Sequence, residues 1–196
     1  MAPATAPLDA GPSATCGLVP PVLDFAALPA RLGRELRADH VGETVAVRLY
    51  EGAVAGSRDA GVRRFATSHR AVEERHLRLF DGLVPPPHRS RLLPLLRAGG
   101  WLMGWLPAKA GPPAFYAVVA AVERWVDGHY AAQIAAARRL GADDTLLTLL
   151  EACRSDERHH SEDAAHAART RPPLARLLAA VAVGSSRVGV VLARWV

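Results

Sequence analysis

The stretch AVEERHLRLF, residues 71–80, has the apolar spacing of an amphipathic helix and places Glu73 and His76 three positions apart. Residues at this spacing share one helical face, with about 5–6 Å between their Cβ atoms, so a carboxylate and an imidazole there can bind one metal ion. A single Glu-x-x-His pair also arises by chance, as a solvated glutamate beside a surface histidine. The pair becomes informative only if the rest of the chain supplies further ligands.

The spacing of apolar residues elsewhere indicates an all-α protein. Apolar residues recur at helical intervals, and no stretch shows the sustained alternation that is typical of a half-buried strand. Glycine and proline mark the helix ends, and Asp143 and Asp144 are good N-cap candidates for the last long helix. This pattern predicts four long helices, over about residues 29–56, 59–81, 114–140 and 143–170, and two further apolar segments, 90–109 and 174–196.

The Glu-x-x-His pattern occurs twice, and each copy follows a lone glutamate on the preceding predicted helix. Glu157 and His160 form the second copy, in SDERHHSED. Glu43 precedes the first copy and Glu123 precedes the second. In each predicted hairpin the lone glutamate and the pair lie about 15 to 18 residues from the turn, on either side of it. The three residues of each hairpin therefore meet at one depth.

Two such hairpins would bring four carboxylates and two imidazoles to the middle of a four-helix bundle, as in di-iron and di-manganese carboxylate proteins. Four buried carboxylates without a counter-charge would cost many kcal/mol in desolvation and repulsion, and two divalent ions balance them. A ligand set rich in oxygen and free of sulfur argues against structural zinc. It favours iron or manganese with positions left open for oxygen.

Length, composition and charge place bounds on the other properties. The 196 residues, half of them hydrophobic, fit one domain, which we expect over 29–196 after a flexible tail at 1–28. The net charge of +5 suits nucleic acid or anionic lipid, but no block of consecutive Lys or Arg favours nucleic acid, and we expect none as a partner. No uncharged apolar run reaches the roughly 18 residues of a membrane span, so we expect no spanning helix.

Four motifs in the chain resemble those of the demethoxyubiquinone hydroxylases, the di-iron monooxygenases of ubiquinone biosynthesis. The motifs are RADHVGE, EERHL, AVERWVDGHYAAQ and RSDERHH, and the similarity runs from about residue 36 to the C-terminus. Val41 departs from the alanine usual in the first motif. The resemblance implies a ferritin-like four-helix bundle in which two glutamates, Glu73 and Glu157, bridge two iron ions. The iron ligands that it implies are Glu43, Glu73, His76, Glu123, Glu157 and His160.

Several residues outside this set are candidates for roles beside the ligands. Tyr50 and Tyr130 each lie seven residues after the lone glutamate of their half, so they could donate hydrogen bonds toward the site or pack in the core. Asp156, next to a ligand, could orient a ligand histidine through its free ring nitrogen, and Asp39 lies one turn before the first lone glutamate. His129 and Tyr130 form the HY pair that resembles the family's electron-relay position, so both are candidate catalytic residues.

The two extra apolar segments are predicted to lie at a membrane surface. Trp101 and Trp105 are one turn apart in the first segment, which basic residues flank, as expected of a helix in the lipid interface. One stripe of the second segment carries Arg176, Arg187 and Arg194, whose side chains can reach lipid phosphate. The alternative is that both helices complete the bundle core or a dimer interface.

The resemblance implies ring hydroxylation of a demethoxyubiquinol, a polyprenyl-methoxy-methyl-benzoquinol, with two iron ions as cofactor and O2 as co-substrate. Because this substrate is a lipid, we expect a peripheral protein on the cytoplasmic face of a bacterial inner membrane. No GxGxxG motif is present, so the electrons would come from the quinol itself, from NADH or from a separate reductase. A homo-oligomer and accessory lipid-binding proteins of ubiquinone biosynthesis stay open as partners.

Three other functions fit the same residues. A ferritin-like oxidase or peroxidase would use the same ligands on soluble iron or peroxide. A tRNA-modifying di-iron hydroxylase would suit the basic charge. A non-enzymatic lipid-binding helical bundle would carry its Glu and His residues incidentally and would bind no iron.

Overall fold

The computed structural model describes residues 13–168, 170 and 172–196, and this part of the chain is helical without any strand. The prediction of an all-α protein is confirmed. A short 3-10 helix at Pro86–His88 follows the second α-helix. The α-helices of the described part are α1 (Ala30–Gly56), α2 (Ala60–Leu83), α3 (Leu93–Ala110), α4 (Pro112–Arg139), α5 (Asp144–Ala167) and α6 (Pro173–Ala193).

Helices α1, α2, α4 and α5 form the four-helix bundle, in which α1 packs against α2 and α4 against α5. Local sequence sets their ends. The side chain of Asp59 accepts a hydrogen bond from the Val62 N–H at 2.8 Å and caps α2, and Asp143 caps α5 through the Thr145 N–H. Gly141 follows α4 at φ +71°, a backbone conformation that suits glycine. The predicted helix ends therefore agree with the structure to within three residues.

Helix α3 lies against α1 at a distance that only glycine permits. A Cβ atom at Gly52 would lie 2.0 Å from the carbonyl oxygen of Trp101, and one at Gly104 would lie 1.8 Å from that of Leu49. The contact is reciprocal, since each helix presents a glycine to the other's backbone. Gly56 and Gly100, each four residues from one of these glycines, also face the backbone of the other helix. Small residues four apart allow the same close approach between helices in membranes. Helix α6 packs on α4 and also contacts α1 and α3, so α3 and α6 are neighbours on the outside of the bundle.

The outer faces of α3 and α6 are apolar and exposed. By length and composition alone, the 21-residue α6 could cross a membrane, and 11% of its apolar window is buried. Length and composition identify a candidate span and no more, so the expectation of no spanning segment stays a prediction. That expectation rested on uncharged runs, whereas α6 contains Arg176 and Arg187 and is apolar on average. Large exposed side chains on these two helices include Leu95, Leu102, Leu106, Leu177, Val181 and Val188.

Residues 13–28 pack against the bundle, in contrast to the flexible tail predicted for residues 1–28. Phe25 lies in a core cluster to which α1, α2, α4 and α5 all contribute, and Thr15 is 3% exposed. The segment contributes isolated apolar side chains without helical or strand periodicity, so its sequence pattern carried no structural signal. Residues 1–12 of the predicted tail lie outside the described residues. The partly buried residues of this segment that pack against the same core are Leu18, Leu23 and Leu28.

Candidate metal centre

The structure brings all six predicted iron ligands together in the middle of the bundle. They form two groups of four whose ligand atoms lie within 4.8 Å of one another, and the two groups share Glu73 and Glu157. Each of the six residues is between 0 and 4% exposed. The first group is Glu43, Glu73, His76 and Glu157, and the second is Glu73, Glu123, Glu157 and His160.

The histidines point the same ring atom, Nδ1, at the shared carboxylates. Nδ1 of His76 lies 3.5 Å from Oε2 of Glu73 and 3.2 Å from Oε1 of Glu157. Nδ1 of His160 lies 2.8 Å from Oε1 of Glu73 and 3.5 Å from Oε2 of Glu157. Each shared glutamate therefore directs one oxygen toward each histidine. This arrangement suits carboxylates that bridge two cations.

Several atoms that face the centre have no hydrogen-bond partner among the described residues. They are buried, and a buried polar atom without a partner costs on the order of 1–3 kcal/mol. Cations bound at these positions would satisfy them, and carboxylate and imidazole are suitable donors for a divalent metal. The buried cluster could therefore bind metal. The atoms are Oε2 of Glu43, Oε1 and Oε2 of Glu73, and Nδ1 of His76 and His160.

Without a cation the cluster holds protons. Burial raises the pKa of Glu43 to about 8, and burial together with Glu157 and Glu73 raises the pKa of Glu123 well above its usual range. Burial opposes the charged form of His160, but the neighbouring carboxylates outweigh it and raise the pKa of this imidazole. Metal binding at the cluster would therefore release protons.

Tyr50 and Tyr130 donate hydrogen bonds to the two lone glutamates in a crossed arrangement. The Tyr50 hydroxyl, on α1, donates to Oε1 of Glu123 on α4 at 3.0 Å. The Tyr130 hydroxyl, on α4, donates to Oε1 of Glu43 on α1 at 2.5 Å. Helical spacing placed each tyrosine near the glutamate of its own helix, and the structure pairs it with the glutamate of the other hairpin. Each bond fixes one carboxylate oxygen and leaves the other to face the centre.

Asp39 and His129 lie beside the centre and contact each other, and neither contacts any of the six predicted ligands among the described polar interactions. Nε2 of His129 is 3.4 Å from Oδ1 of Asp39, and the side-chain amide of Gln133 donates to the other oxygen. The His129 ring also stacks on Trp125, with 5.7 Å between ring centroids. Gln133 was not singled out from the sequence. Its position three residues after Tyr130, on the same helical face, is the signal that could have identified it.

A pair of residues that was not singled out from the sequence, His69 and Asp163, lies behind His160. His69 is fully buried, its ring centroid is 4.6 Å from that of His160, and its Nε2 is 3.4 Å from Oδ2 of Asp163. Burial lowers the pKa of His69, which favours the neutral ring. His69 lies seven residues before His76, on the same helical face, and this spacing could have indicated its place.

Asp156 accepts a hydrogen bond from Nε2 of His76 at 3.0 Å. Sequence position alone left open which ligand histidine Asp156 would contact, and the structure places it against the one on α2. Burial would raise the pKa of Asp156, but hydrogen bonds from His76, from Ser13 and from the Ala14 N–H outweigh burial and lower the pKa. The carboxylate therefore stays ionised and holds the His76 proton on Nε2, so that Nδ1 is free to face the cluster.

An apolar cavity of about 370 Å³ connects the cluster to the outer surface. Glu43, Glu123 and Glu157 lie on its inner wall, while Leu106 and Val181, both half exposed, lie on its outer wall. Apart from Glu157 of α5, the walls come from α1, α3, α4 and α6, so the two outer helices complete a cavity that the bundle alone would leave open. A lipid-like molecule could reach the cluster by this route.

Comparison with known proteins identifies a matching family and several similar proteins. The chain matches the family described as Ubiquinone biosynthesis protein COQ7 over residues 30–193. It is 38% identical over 175 residues to a 3-demethoxyubiquinol 3-hydroxylase of Rhodospirillum rubrum, covering 85% of this chain and 77% of that protein. It is 34% identical over 155 residues to a protein of the same name from Cupriavidus necator, covering 78% of this chain and 73% of that protein.

A eukaryotic protein is also similar. The NADPH-dependent 3-demethoxyubiquinone 3-hydroxylase, mitochondrial, of Dictyostelium discoideum is 31% identical over 130 residues, which cover 65% of this chain and 60% of that protein. The family match extends over all six α-helices. It confirms the resemblance that the four sequence motifs indicated, and the chain belongs to the family of the ubiquinone biosynthesis protein COQ7.

Proposed function

We propose that the chain is a di-iron monooxygenase that hydroxylates the ring of a demethoxyubiquinol in ubiquinone biosynthesis, with O2 as co-substrate. The observation that carries this proposal is the position of the Glu/His cluster at the inner end of an apolar cavity. The names of the bacterial relatives support the same substrate and reaction. The cluster's residues in their proposed role as iron ligands are Glu43, Glu73, His76, Glu123, Glu157 and His160.

Two bound iron ions would supply the activation of dioxygen and the insertion of one oxygen atom into a ring C–H bond. The protein's own residues hold the ligands and protons in place. Tyr50 and Tyr130 fix the carboxylates of Glu123 and Glu43. Asp156 keeps the proton of His76 on Nε2, away from the cluster. The apolar cavity walls exclude water and direct the quinol ring toward the carboxylates on the inner wall.

The cavity is large enough for the substrate's ring but not for its whole polyprenyl tail. A volume of about 370 Å³ is at the lower end of the range of roughly 300–1,000 Å³ for small-molecule sites. It suits a substituted ring and the beginning of a polyprenyl chain. The rest of the tail would leave between α3 and α6, whose outer faces are apolar. We therefore propose that these two helices lie on the bilayer and that the protein is peripheral to the cytoplasmic face of the inner membrane.

The proposed reaction also needs two electrons. The chain contains no GxGxxG motif, so the donor would be the quinol substrate, NADH or a separate reductase. His129 and Tyr130 are the residues that we propose for the route. Tyr130 donates to Glu43, and His129 lies on the cavity wall between Asp39 and Trp125.

The test is to purify the protein anaerobically with Fe2+ and to measure iron by plasma emission spectroscopy. We expect two iron ions per chain in the wild type and a loss of iron in Glu73→Ala and His160→Ala. Glu162→Ala, an exposed position on α5, is the matched control and should keep its iron. The loaded wild type should then incorporate one atom from 18O2 into demethoxyubiquinol, as measured by mass spectrometry.

The alternative functions give different results when the same protein is also incubated with RNA and 18O2 and tested for flotation with liposomes. An oxidase or peroxidase would consume Fe2+ or peroxide and leave the quinol unlabelled. A tRNA-modifying hydroxylase would label RNA and would not float with liposomes. A lipid-binding bundle would float but bind no stoichiometric iron. Absence of iron from the wild type would refute the proposal that the chain is a di-iron enzyme.

A further inference from the structure

Three consecutive residues of the N-terminal segment surround the carboxylate of Asp156. The Ser13 hydroxyl donates to Oδ2 at 2.7 Å, and the Ala14 N–H donates to Oδ1 at 2.7 Å. Thr15 lies against Oδ2 with both its N–H, at 3.3 Å, and its hydroxyl, at 3.1 Å. Asp156 is 4% exposed, so these donors replace water around a buried charge. We call residues 13–15 the N-terminal clamp.

The clamp and the metal centre share one oxygen atom. Oδ2 of Asp156 accepts from Ser13 and Thr15 on one side and from Nε2 of His76, at 3.0 Å, on the other. A rotation of the carboxylate would break both sets of bonds together. Because the bond to Nε2 sets the direction in which Nδ1 of His76 points, the clamp controls that direction through Asp156.

The clamp is held in place by packing farther along the same segment. Pro20 lies against α2 at Gly82, where a Cβ atom would come within 2.6 Å of the proline ring. Phe25 is buried in the core, and its ring centroid is 4.7 Å from that of His88. These contacts give the segment a defined register on the bundle and bring residues 13–15 over Asp156.

We propose that the N-terminal clamp positions His76 for metal binding and thereby sets the metal affinity of one half of the centre. This inference rests on the metal site of the proposed function. Ser13 and Thr15 are positioning residues, since they act through Asp156 and contact none of the six proposed ligands among the described polar interactions. Among the described contacts, the clamp reaches His76 through Asp156 and makes none with His160 or Glu123, the two ligands that belong only to the other half of the centre. An effect confined to one of two metal equivalents is therefore the signature of the clamp.

The experiment is a titration of the full-length, metal-free protein with Co2+ against a competing chelator, read by the visible absorption of bound Co2+. The variant Ser13→Ala/Thr15→Val removes both hydroxyl donors and keeps the backbone donors. Loss of such outer hydrogen bonds typically weakens metal binding by about 10–100-fold. We expect a loss of about 10-fold for one Co2+ equivalent, a changed spectrum for that equivalent, and an unchanged second equivalent.

Two matched variants separate positioning from a general loss of stability. Thr15→Ser keeps the hydroxyl and should bind both equivalents as the wild type does. Cys16→Ala changes the exposed neighbour of the clamp and should also leave binding unchanged. Melting curves of the metal-free variants report stability independently of metal binding.

Two results for the double variant would overturn the inference and leave the proposed function intact. One is wild-type affinity for both equivalents, and the other is an equal loss in both. Failure of the wild type to bind Co2+ would overturn the proposed function and, with it, the inference.

Discussion

Replacement of Gly104 by alanine is expected to push α3 away from α1. The new Cβ atom would lie 1.8 Å from the carbonyl oxygen of Leu49, whereas ordinary van der Waals contact begins at 3.4 Å. The difference requires a displacement of roughly 1.6 Å at this point. The carbonyl oxygen of Leu49 is a main-chain atom of α1, and the position of the new Cβ is fixed by the main chain of α3. Rotation of a side chain therefore cannot relieve the contact. The whole helix must shift or tilt.

Two opposing effects set the change in the free energy of unfolding for Gly104→Ala. Overpacking of this kind costs about 1–3 kcal/mol of the free energy of unfolding. Alanine is favoured over glycine inside a helix by about 1 kcal/mol. Because the contact is with a helix backbone, we expect the upper part of the overpacking range, which leaves a net destabilisation of about 1–2 kcal/mol. Since α3 forms a wall of the cavity, the same shift should also alter the binding of an apolar ligand.

Gly99→Ala is the matched control, on the same helix. No atom of the described neighbouring residues lies within 4 Å of a Cβ built at Gly99, so this variant should be up to about 1 kcal/mol more stable than the wild type. Urea unfolding followed by circular dichroism measures both variants. An increase in stability for Gly104→Ala equal to that of Gly99→Ala would refute the reasoning. The double variant Gly52→Ala/Gly104→Ala should cost less than the sum of its parts, because one alanine already separates the helices.

The pH dependence of stability, the crossed tyrosines and a helix cap each give a further prediction. Burial lowers the pKa of His40 below 6.5, so its contribution to stability is present above pH 6.5 and is lost as the pH falls below it. His40→Gln should therefore lessen the fall in melting temperature between about pH 7 and pH 5, and an unchanged pH profile would contradict this. Tyr130→Phe removes the donor to Glu43 and should weaken Co2+ binding by about 10-fold, while Tyr116→Phe, a buried tyrosine without a bond to a ligand in the described contacts, should bind as the wild type does. Equal affinities of the two variants would argue against a role for the Tyr130 hydroxyl. Asp59→Ala removes the cap of α2 and should cost about 1 kcal/mol in urea unfolding, and no change in the midpoint would count against the cap.

Local sequence was sufficient for the helices and for the candidate ligands. Helix ends follow from single residues, such as Asp59 and Gly141, whose backbone and capping preferences act within one turn. The Glu-x-x-His pairs follow from the helical repeat, which places residues three apart on one face. Equal distances from each turn then predicted the convergence of the six residues, because antiparallel helices of a hairpin share a common rise per residue.

Contacts between distant segments required the tertiary structure. Pairing of Tyr50 with Glu123 joins residues 73 positions apart, and it depends on how α1 and α4 rotate against each other. The same holds for the approach of α3 to α1 at Gly104, since a glycine in a helix does not by itself identify the facing helix. Helix rotation and separation are set by the sum of many side-chain contacts, and no local pattern records them.

The N-terminal segment shows most clearly the difference between what local sequence predicts and what tertiary structure decides. Its sequence has no periodicity and predicts a flexible tail, yet residues 13–15 donate hydrogen bonds to Asp156, more than 140 positions away. The chain's own sequence determined that this protein is a helical bundle with two Glu-x-x-His pairs at one depth, because helix formation and helical spacing are local. Only the tertiary structure decided which residues orient those ligands, because orientation depends on donors that folding brings from elsewhere in the chain.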